Sequence, residues 1–334
     1  MSKCRVAVIY GGRSGEHEVS VRSGEAILKA LRPEDYEPVP IFITKEGKWV
    51  PGPIVAEPGA NPGIDVVFPV LHGTFGEDGT VQGLLELADL PYVGAGVFAS
   101  AASMDKEHTK RICLERGLRV VEYEVIATGN PHTAPDWDAI VERVETRFGY
   151  PVFVKPCNLG SSVGISKARD RAGLRAAIDE AAKYDLKVLV ERAIVGREFE
   201  CSVIGNYRPQ ASPPCEILPS REFYDYDDKY VLGRAGTSLT PILGVTAMDE
   251  IQKLAVECFR ALDCSGMARV DFLMEEASGQ VYINEINTIP GFTSISMYPK
   301  MWGQAGLPFD MLVDMLLHLA MERHALRQAL RYER

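Results

Sequence analysis

The chain has 334 residues, 46% of them hydrophobic and 25% charged, with a formal net charge of −10. Acids and bases are mixed along its length with no basic stripe to neutralise a phosphate backbone, which argues against a nucleic-acid partner. No stretch approaches the ~20 apolar residues that span a bilayer, and the first apolar run stops at Gly11 and Gly12, short of a secretory signal; the expectation is a soluble cytoplasmic protein of two or three domains with no membrane partner.

In chain order, the β-branched run over 4–10 predicts a strand, and an amphipathic stretch over 20–31, with Ser20 as N-cap, predicts a helix. Strands follow at 38–44 and 64–71, the second running into His72-Gly73-Thr74-Phe75-Gly76-Glu77-Asp78-Gly79 before a helix over 81–88. This succession predicts an open α/β sheet whose ligands sit at the carboxyl ends of its strands, where both glycine-rich loops lie. From about Ser100 the pattern changes: a helix over 106–116, a Pro- and Gly-containing stretch over 128–136, strand 152–155, loop 156–164, strand 165–168, helix 172–183 and strand 187–191. After a strand at 199–204 comes a polar run over 213–236 with little periodicity, of a length that suits a lid. A helix over 248–262, strands near Met267 and Val281, and a helix from 308 to about 324 complete the chain. The seven cysteines include no CxxC pair and read as reduced, buried small hydrophobes.

Two segments carry chemistry. Residues 267–287 form two β-patterned runs around Ala277-Ser278-Gly279, the three-residue connection of a hairpin with a G1 bulge. Symmetry about Ser278 sets Asp271 opposite Glu285 and Arg269 opposite Asn287, all four on one face. Such a face suits Mg²⁺ and its phosphate ligands; taken alone, it equally suits a solvated sheet surface with ordinary cross-strand pairs. The second segment, Lys155-Pro-Cys-Asn-Leu-Gly-Ser-Ser-Val-Gly164, offers glycines for close backbone approach and the Ser161 and Ser162 hydroxyls as phosphate donors. It lacks the Gly-Lys-Ser/Thr ending of a Walker loop, so it reads as a flap over a nucleotide or as a plain turn. Lys106 and Lys155 are candidate phosphate cations, each of which could equally be a surface charge.

Gly11-Gly-Arg-Ser-Gly-Glu16, His72-Gly73 with Glu77-Asp-Gly79, Met104-Asp-Lys106, Lys155-Pro156 with Gly160 to Gly164, Tyr226-Asp-Asp-Lys-Tyr230, Ala268-Arg-Val-Asp271 and Asn284-Glu-Ile-Asn287 with Pro290-Gly291 occur in one order across nearly the whole chain. Together they resemble the D-alanine:D-alanine ligase family of ATP-grasp enzymes. The resemblance implies a mixed α/β, three-domain ATP-grasp fold: an N-terminal open-sheet domain over 1–100, a central subdomain over 101–190, and a C-terminal subdomain over 191–334 carrying the metal site and lid. It implies ligation of two D-alanine molecules through a D-alanyl phosphate for peptidoglycan precursors, with a D-alanine:D-lactate ligase or another carboxylate-amine ligase as alternatives. The cofactors implied are ATP and two Mg²⁺ ions, with Mn²⁺ as a substitute, and the implied assembly is a homodimer.

By the same resemblance Lys106 and Lys155 hold the α- and β-phosphates, Lys229 approaches the γ-phosphate, Ser162 belongs to the phosphate flap, and Glu191 and Glu198 face adenine and ribose. Asp271, Glu285 and Asn287 hold the metals. Glu16 receives the ammonium of the first D-alanine within a set completed by Ser161 and Tyr230, and His72 and Glu77 lie near the substrates. Arg269 and the backbone of Gly291 form an oxyanion site, while Ser296 and the amide of Met297 hold the second carboxylate. Cys157 stands where the family suggests a small residue, so thiol modification there is expected to block the flap.

Overall fold

The computed structural model describes residues 3–128, 136–160, 162–218 and 236–331. The first unit contains β1 (Cys4–Gly11), α1 (His17–Ala30), β2 (Tyr36–Ile43), β3 (Trp49–Val50), β4 (Val66–Pro69) and α2 (Thr80–Leu87). Its sheet runs β3-β2-β1-β4, with β1 parallel to β2 and β4. Val6 and Val8 of β1 pack with Ile27 of α1, whereas Ala7 and Ile9 pack with Val81 and Leu85 of α2. Both sheet faces are thus covered, which is why β1 reads as a continuous apolar run rather than an alternation.

Next come α3 (Val97–Met104), α4 (Lys106–Glu115), β5 (Tyr123–Ala127), α5 (Trp137–Arg147), β6 (Val152–Pro156), β7 (Ser166–Ala168), α6 (Arg171–Ala181) and β8 (Lys187–Arg192). The Asp105 carboxylate caps α4 by accepting the N–H groups of Glu107 and His108 at 3.0 and 3.1 Å. The strands form an antiparallel sheet in the order β5-β8-β6-β7, with α5 and α6 against it through Val144, Leu174 and Ile178.

The remaining elements are β9 (Gly196–Gly205), β10 (Gln210–Ala211), β11 (Cys215–Leu218), β12 (Gly236–Ser238), α7 (Val245–Ala261), β13 (Gly266–Glu275), β14 (Val281–Asn287), α8 (Met297–Gln304) and α9 (Phe309–Gln328). Their sheet runs β12-β11-β9-β13-β14, with β10 on β9. Phe199, Cys201 and Val203 of β9 and Ala268, Val270 and Phe272 of β13 share a core with Ile251, Ala255 and Phe259 of α7. The alternating residues Glu198, Glu200, Arg269 and Asp271 therefore point away from α7. Leu312 and Leu316 of α9 return to the first unit and pack in the core containing Val6 and Val8.

Some elements differ from expectation. The first helix starts at His17, so Ser20 lies inside it; the Ser20 hydroxyl donates to the Val70 carbonyl and accepts the Gly11 N–H at 2.8 Å. It ties β1 to the segment after β4 instead of capping. The ends of the 213–236 run form β11 and β12, while 219–235 lie outside the described residues. Among the described residues no helix is long and apolar enough to cross a membrane.

Candidate active site

The β13–β14 hairpin sets Asp271 opposite Glu285 and Arg269 opposite Asn287, as expected, but reaches that register by another route. The Glu275 N–H donates to the Gln280 carbonyl at 2.9 Å, so four residues, 276–279, make the connection rather than three centred on Ser278. Phe272 then pairs with Ile283, and a bulge at Asn284 restores the offset before Asp271 meets Glu285. The bulge has a packing cause. Ile283 and Ile286 both belong to the core under α7, which a strict two-residue period forbids. It leaves Asn284 and Glu285 both off that core.

β9 extends the row, because Glu200 lies opposite Asp271 on the other side of β13. Three carboxylates from adjacent strands thus stand in line, an arrangement that demands cations. Arg269 supplies one: its Nε and Nη2 donate to the two Asp271 oxygens at 2.7 Å each, and Nε lies 3.3 Å from Glu200. Burial opposes this guanidinium, yet Asp271 and Glu200 raise its pKa well above the ordinary value.

The lysines come from the central unit. Lys106 Nζ donates to the Leu159 carbonyl at 2.6 Å and lies 3.6 Å from Glu285. Lys155 Nζ lies 2.5 Å from Glu191 and donates to Asn284 at 3.2 Å, so the bulge residue ties the central sheet to the hairpin. Lys110, one turn along α4 from Lys106, reaches the other Glu191 oxygen at 2.6 Å. Burial alone would raise the Glu191 carboxyl, but Lys110 and Lys155 hold it at about 2. Glu198 acts on the same Lys155 ammonium through its charge. Ser162 adopts a left-handed φ of 59°. Ser161, Lys229 and Tyr230 lie outside the described residues.

The facing wall is built at the ends of β1 and β4. A Cβ on Gly73 or Gly160 would come within 2.8 and 3.2 Å of a Glu16 carboxylate oxygen, so the absent side chains make room for that group. His72 is buried, with Nδ1 at 3.0 Å from the Ile289 carbonyl and Nε2 at 3.3 Å from the Ser23 hydroxyl. The carbonyl places the ring proton on Nδ1, and burial lowers the pKa, which keeps the ring neutral. Glu77 accepts the N–H groups of Gly73 and Ile289 at 2.7 and 3.3 Å. Burial first, then the Glu16 charge, pushes its carboxyl up to about 8. Beyond Asn287, Ser296 accepts the Thr293 N–H at 3.0 Å, and a Cβ on Gly291 would approach its hydroxyl to 2.6 Å.

These walls enclose a cleft of about 310 Å³. Glu16, His72, Glu77 and Lys106 line it together with Arg269, Glu285 and Asn287, and Gly291, Ser296 and Met297 close the far side. Lys155, Ser162, Glu191, Glu198 and Asp271 do not line it. Glu200 and Lys110 were not singled out in the sequence. Glu200 lines the cleft, and its mark was the charged–apolar alternation of Glu198-Phe199-Glu200-Cys201. Lys110 was marked only by its four-residue spacing from Lys106. Asp105, Glu107 and His108 form another acidic group, but Lys187 bridges the two carboxylates at 2.7 and 2.6 Å.

A cleft with cations on one side, an acidic row on another and the Glu16 carboxylate opposite suits a polyanion, a divalent cation and an ammonium together. Known proteins agree with this reading. A family model described as D-ala D-ala ligase C-terminus matches residues 112–318, and one described as D-ala D-ala ligase N-terminus matches residues 5–60 and 54–95. The D-alanine–D-alanine ligase of Solibacter usitatus is 61% identical over 332 residues, covering 99% of this chain and 100% of the relative. That of a Thermoanaerobacter species is 48% identical over 356 residues, covering 97% and 98%. Among solved structures, the D-alanine–D-alanine ligase from Coxiella burnetii superposes with a TM-score of 0.87 at 38% identity, covering 98% of this chain and 97% of the other. The VanG D-Ala:D-Ser ligase from Enterococcus faecalis gives 0.85 at 34% identity, covering 96% and 100%. The three sheets around this cleft are those of the ATP-grasp fold, and the chain belongs to the D-alanine–D-alanine ligase family.

Proposed function

We propose that this protein joins two D-alanine molecules at the expense of ATP, releasing ADP and phosphate, as a cytoplasmic step of peptidoglycan precursor synthesis. The observation that carries the reading is the single cleft in which Glu16 faces Arg269, Glu285 and Asn287. A carboxylate is inert to an amine because oxide is a poor leaving group. Transfer of the γ-phosphoryl group to the first D-alanine makes an acyl phosphate, and the amine of the second D-alanine displaces phosphate from it.

Each wall of the cleft then has a task. Glu16 takes the ammonium of the first D-alanine, with Ser161 and Tyr230 completing the set, while His72 and the protonated Glu77 bring no further charge beside it. Lys106 and Lys155 offset phosphate charge, with Lys229 toward the γ-phosphate and Ser162 in the flap, while Glu191 and Glu198 face adenine and ribose. Arg269 and the Gly291 N–H stabilise the oxyanion of the tetrahedral intermediate, a role in which one donor is worth ~3 kcal/mol. Ser296 and the Met297 amide hold the second carboxylate.

Asp271, Glu285 and Asn287 offer the hard oxygen donors that Mg²⁺, or Mn²⁺ in its place, takes. Glu285 and Asn287 already line the cleft, whereas both Asp271 oxygens are engaged by Arg269, so Asp271 would hold a cation only on releasing part of that pair. Two such ions, when bound, neutralise charge on the transferring phosphoryl group. Leu87 of α2 and Val97 and Phe98 at the start of α3 are exposed within residues 1–100, which supports a homodimer through that region.

Phosphate release from ATP, measured with D-alanine, L-alanine, D-serine, and D-alanine plus D-lactate, with products identified by mass, tests the proposal. D-alanyl-D-alanine is the expected main product, and Arg269→Ala is expected to lower kcat by about 10²- to 10³-fold. Faster depsipeptide than dipeptide formation at neutral pH, or release independent of D-alanine, would refute it.

A further inference from the structure

Lys110 has 1% of its side chain exposed and no place in the chemistry above. A lysine is seldom buried so completely unless it is paired. Its partner is Glu191, whose second oxygen holds Lys155, so one carboxylate with 3% exposure is shared between two ammonium groups. Burial lowers the pKa of Lys110 and the Glu191 charge opposes that shift; with both lysines protonated, the triad Lys110–Glu191–Lys155 sums to one positive charge. Lys106 and Lys110 project from the same face of α4, the first lining the cleft and the second reaching inward beneath Lys155's partner.

We infer that Lys110 is a positioning residue for nucleotide binding: by occupying half of Glu191, it leaves the Lys155 ammonium with uncancelled charge for a phosphate and fixes the carboxylate that aims it. The inference rests on the reading of Lys155 as a phosphate-binding lysine. Without Lys110, Glu191 and Lys155 become a closed neutral pair, and the attraction for phosphate falls although Lys155 is still present. Glu198 and Glu285 also act on Lys155 and deepen that loss. A lysine that merely pins α4 to β8 makes no such demand, because its removal would lower stability and leave nucleotide affinity alone.

The two roles separate in a charge cycle. ADP affinity is measured by calorimetry on the full chain, with KM for ATP and for D-alanine measured in parallel. Lys110→Met is expected to weaken ADP binding on the order of tenfold and to raise KM for ATP while KM for D-alanine stays near its wild-type value. Lys110→Met/Glu191→Gln restores the single positive charge and is expected to recover most of the lost affinity. Tripolyphosphate, tested as a competitor of ATP, repeats the comparison free of any adenine contact of Glu191. Lys155→Met is the control: if it binds ADP as wild type does, the phosphate-binding reading of Lys155 fails and takes the inference with it. If Lys155→Met weakens binding while Lys110→Met matches wild type, or if the double variant recovers neither ADP nor tripolyphosphate binding, the inference alone is overturned. Should Lys110→Met fail to fold, Lys110→Gln against Lys110→Arg makes the same comparison of charge removed against charge kept.

Discussion

Glu77 and Glu191 are both buried glutamates near one cleft, and they are held in opposite protonation states. Glu77 is buried, accepts two backbone N–H groups and has the Glu16 carboxylate as its stronger charged neighbour, with Arg269 acting weakly the other way, and its pKa climbs to about 8. Glu191 meets two ammonium groups, and its pKa falls to about 2. Burial acts in the same direction on both. Amide dipoles do not offset it beside a like charge, whereas two full opposite charges more than do so. Under the proposed function this divides the labour: a neutral Glu77 adds no second charge beside the ammonium that Glu16 takes, and the Lys110–Glu191–Lys155 group offers a surplus of positive charge to the nucleotide.

The largest effect that would test this contrast comes from removing Glu191. Glu191→Ala leaves Lys110 and Lys155 without their shared counter-ion and is expected to cost about 3–5 kcal/mol, read from urea unfolding. A loss below about 1 kcal/mol would mean that the triad does not carry the charges assigned to it.

Next in size are two pH dependences of opposite sign. The folded pKa of Glu77 lies above the ordinary 4.5, so its contribution to stability is complete below 4.5 and is lost as pH rises toward about 8. The folded pKa of Glu191 lies below 4.5, so its contribution is complete above that value and is lost as pH falls toward about 2. Glu77→Gln is expected to flatten the stability profile between about 4.5 and 8, and Glu191→Gln to flatten the acid limb between about 4.5 and 2. Identical changes in both variants would erase the distinction.

That distinction was not legible in the sequence, although much of the frame was. Strand alternation is a local property, so a strict two-residue period about a three-residue turn put Asp271 opposite Glu285, but the pair forms only because a four-residue connection is offset by a bulge. The bulge at Asn284 depended on α7 burying both Ile283 and Ile286, which no local period announces. Ser20 has the chemistry of an N-cap, but its partner is the Val70 carbonyl, 50 residues away. The state of Glu77 depends on burial and on the Glu16 charge, 61 residues away, against which the Ile289 amide, 212 residues away, acts only weakly. Lys106 and Lys155, each readable as a surface charge, keep only 9% and 11% of their side chains exposed once three sheets converge. What was readable came from neighbours in sequence, and what was hidden came from neighbours in space.

Cys157 extends the contrast to a third buried group and gives the smallest of these effects. The sequence suggests a thiol whose modification blocks the nucleotide flap; the structure places Cys157 at 0% exposure between β6 and that loop. Its backbone accepts the Lys106 N–H and donates to the Lys187 carbonyl, each at 3.0 Å. Burial, aided by Asp105, pushes the thiol up to about 12, and neither Lys187 nor Lys106 reverses the shift. Like Glu77 it lacks a dedicated counter-ion, and so it stays neutral. The thiolate is the reactive form, so Cys157 is expected to resist maleimide in the folded enzyme at neutral pH. Cys4, the one cysteine of the seven that is not buried, is expected to label first by peptide mass. Cys157→Ala is then expected to leave sensitivity to thiol reagents unchanged and to lower stability by about 1 kcal/mol. Rapid labelling of Cys157 ahead of Cys4, protected by ATP, would show instead that the flap opens far enough to expose the thiol.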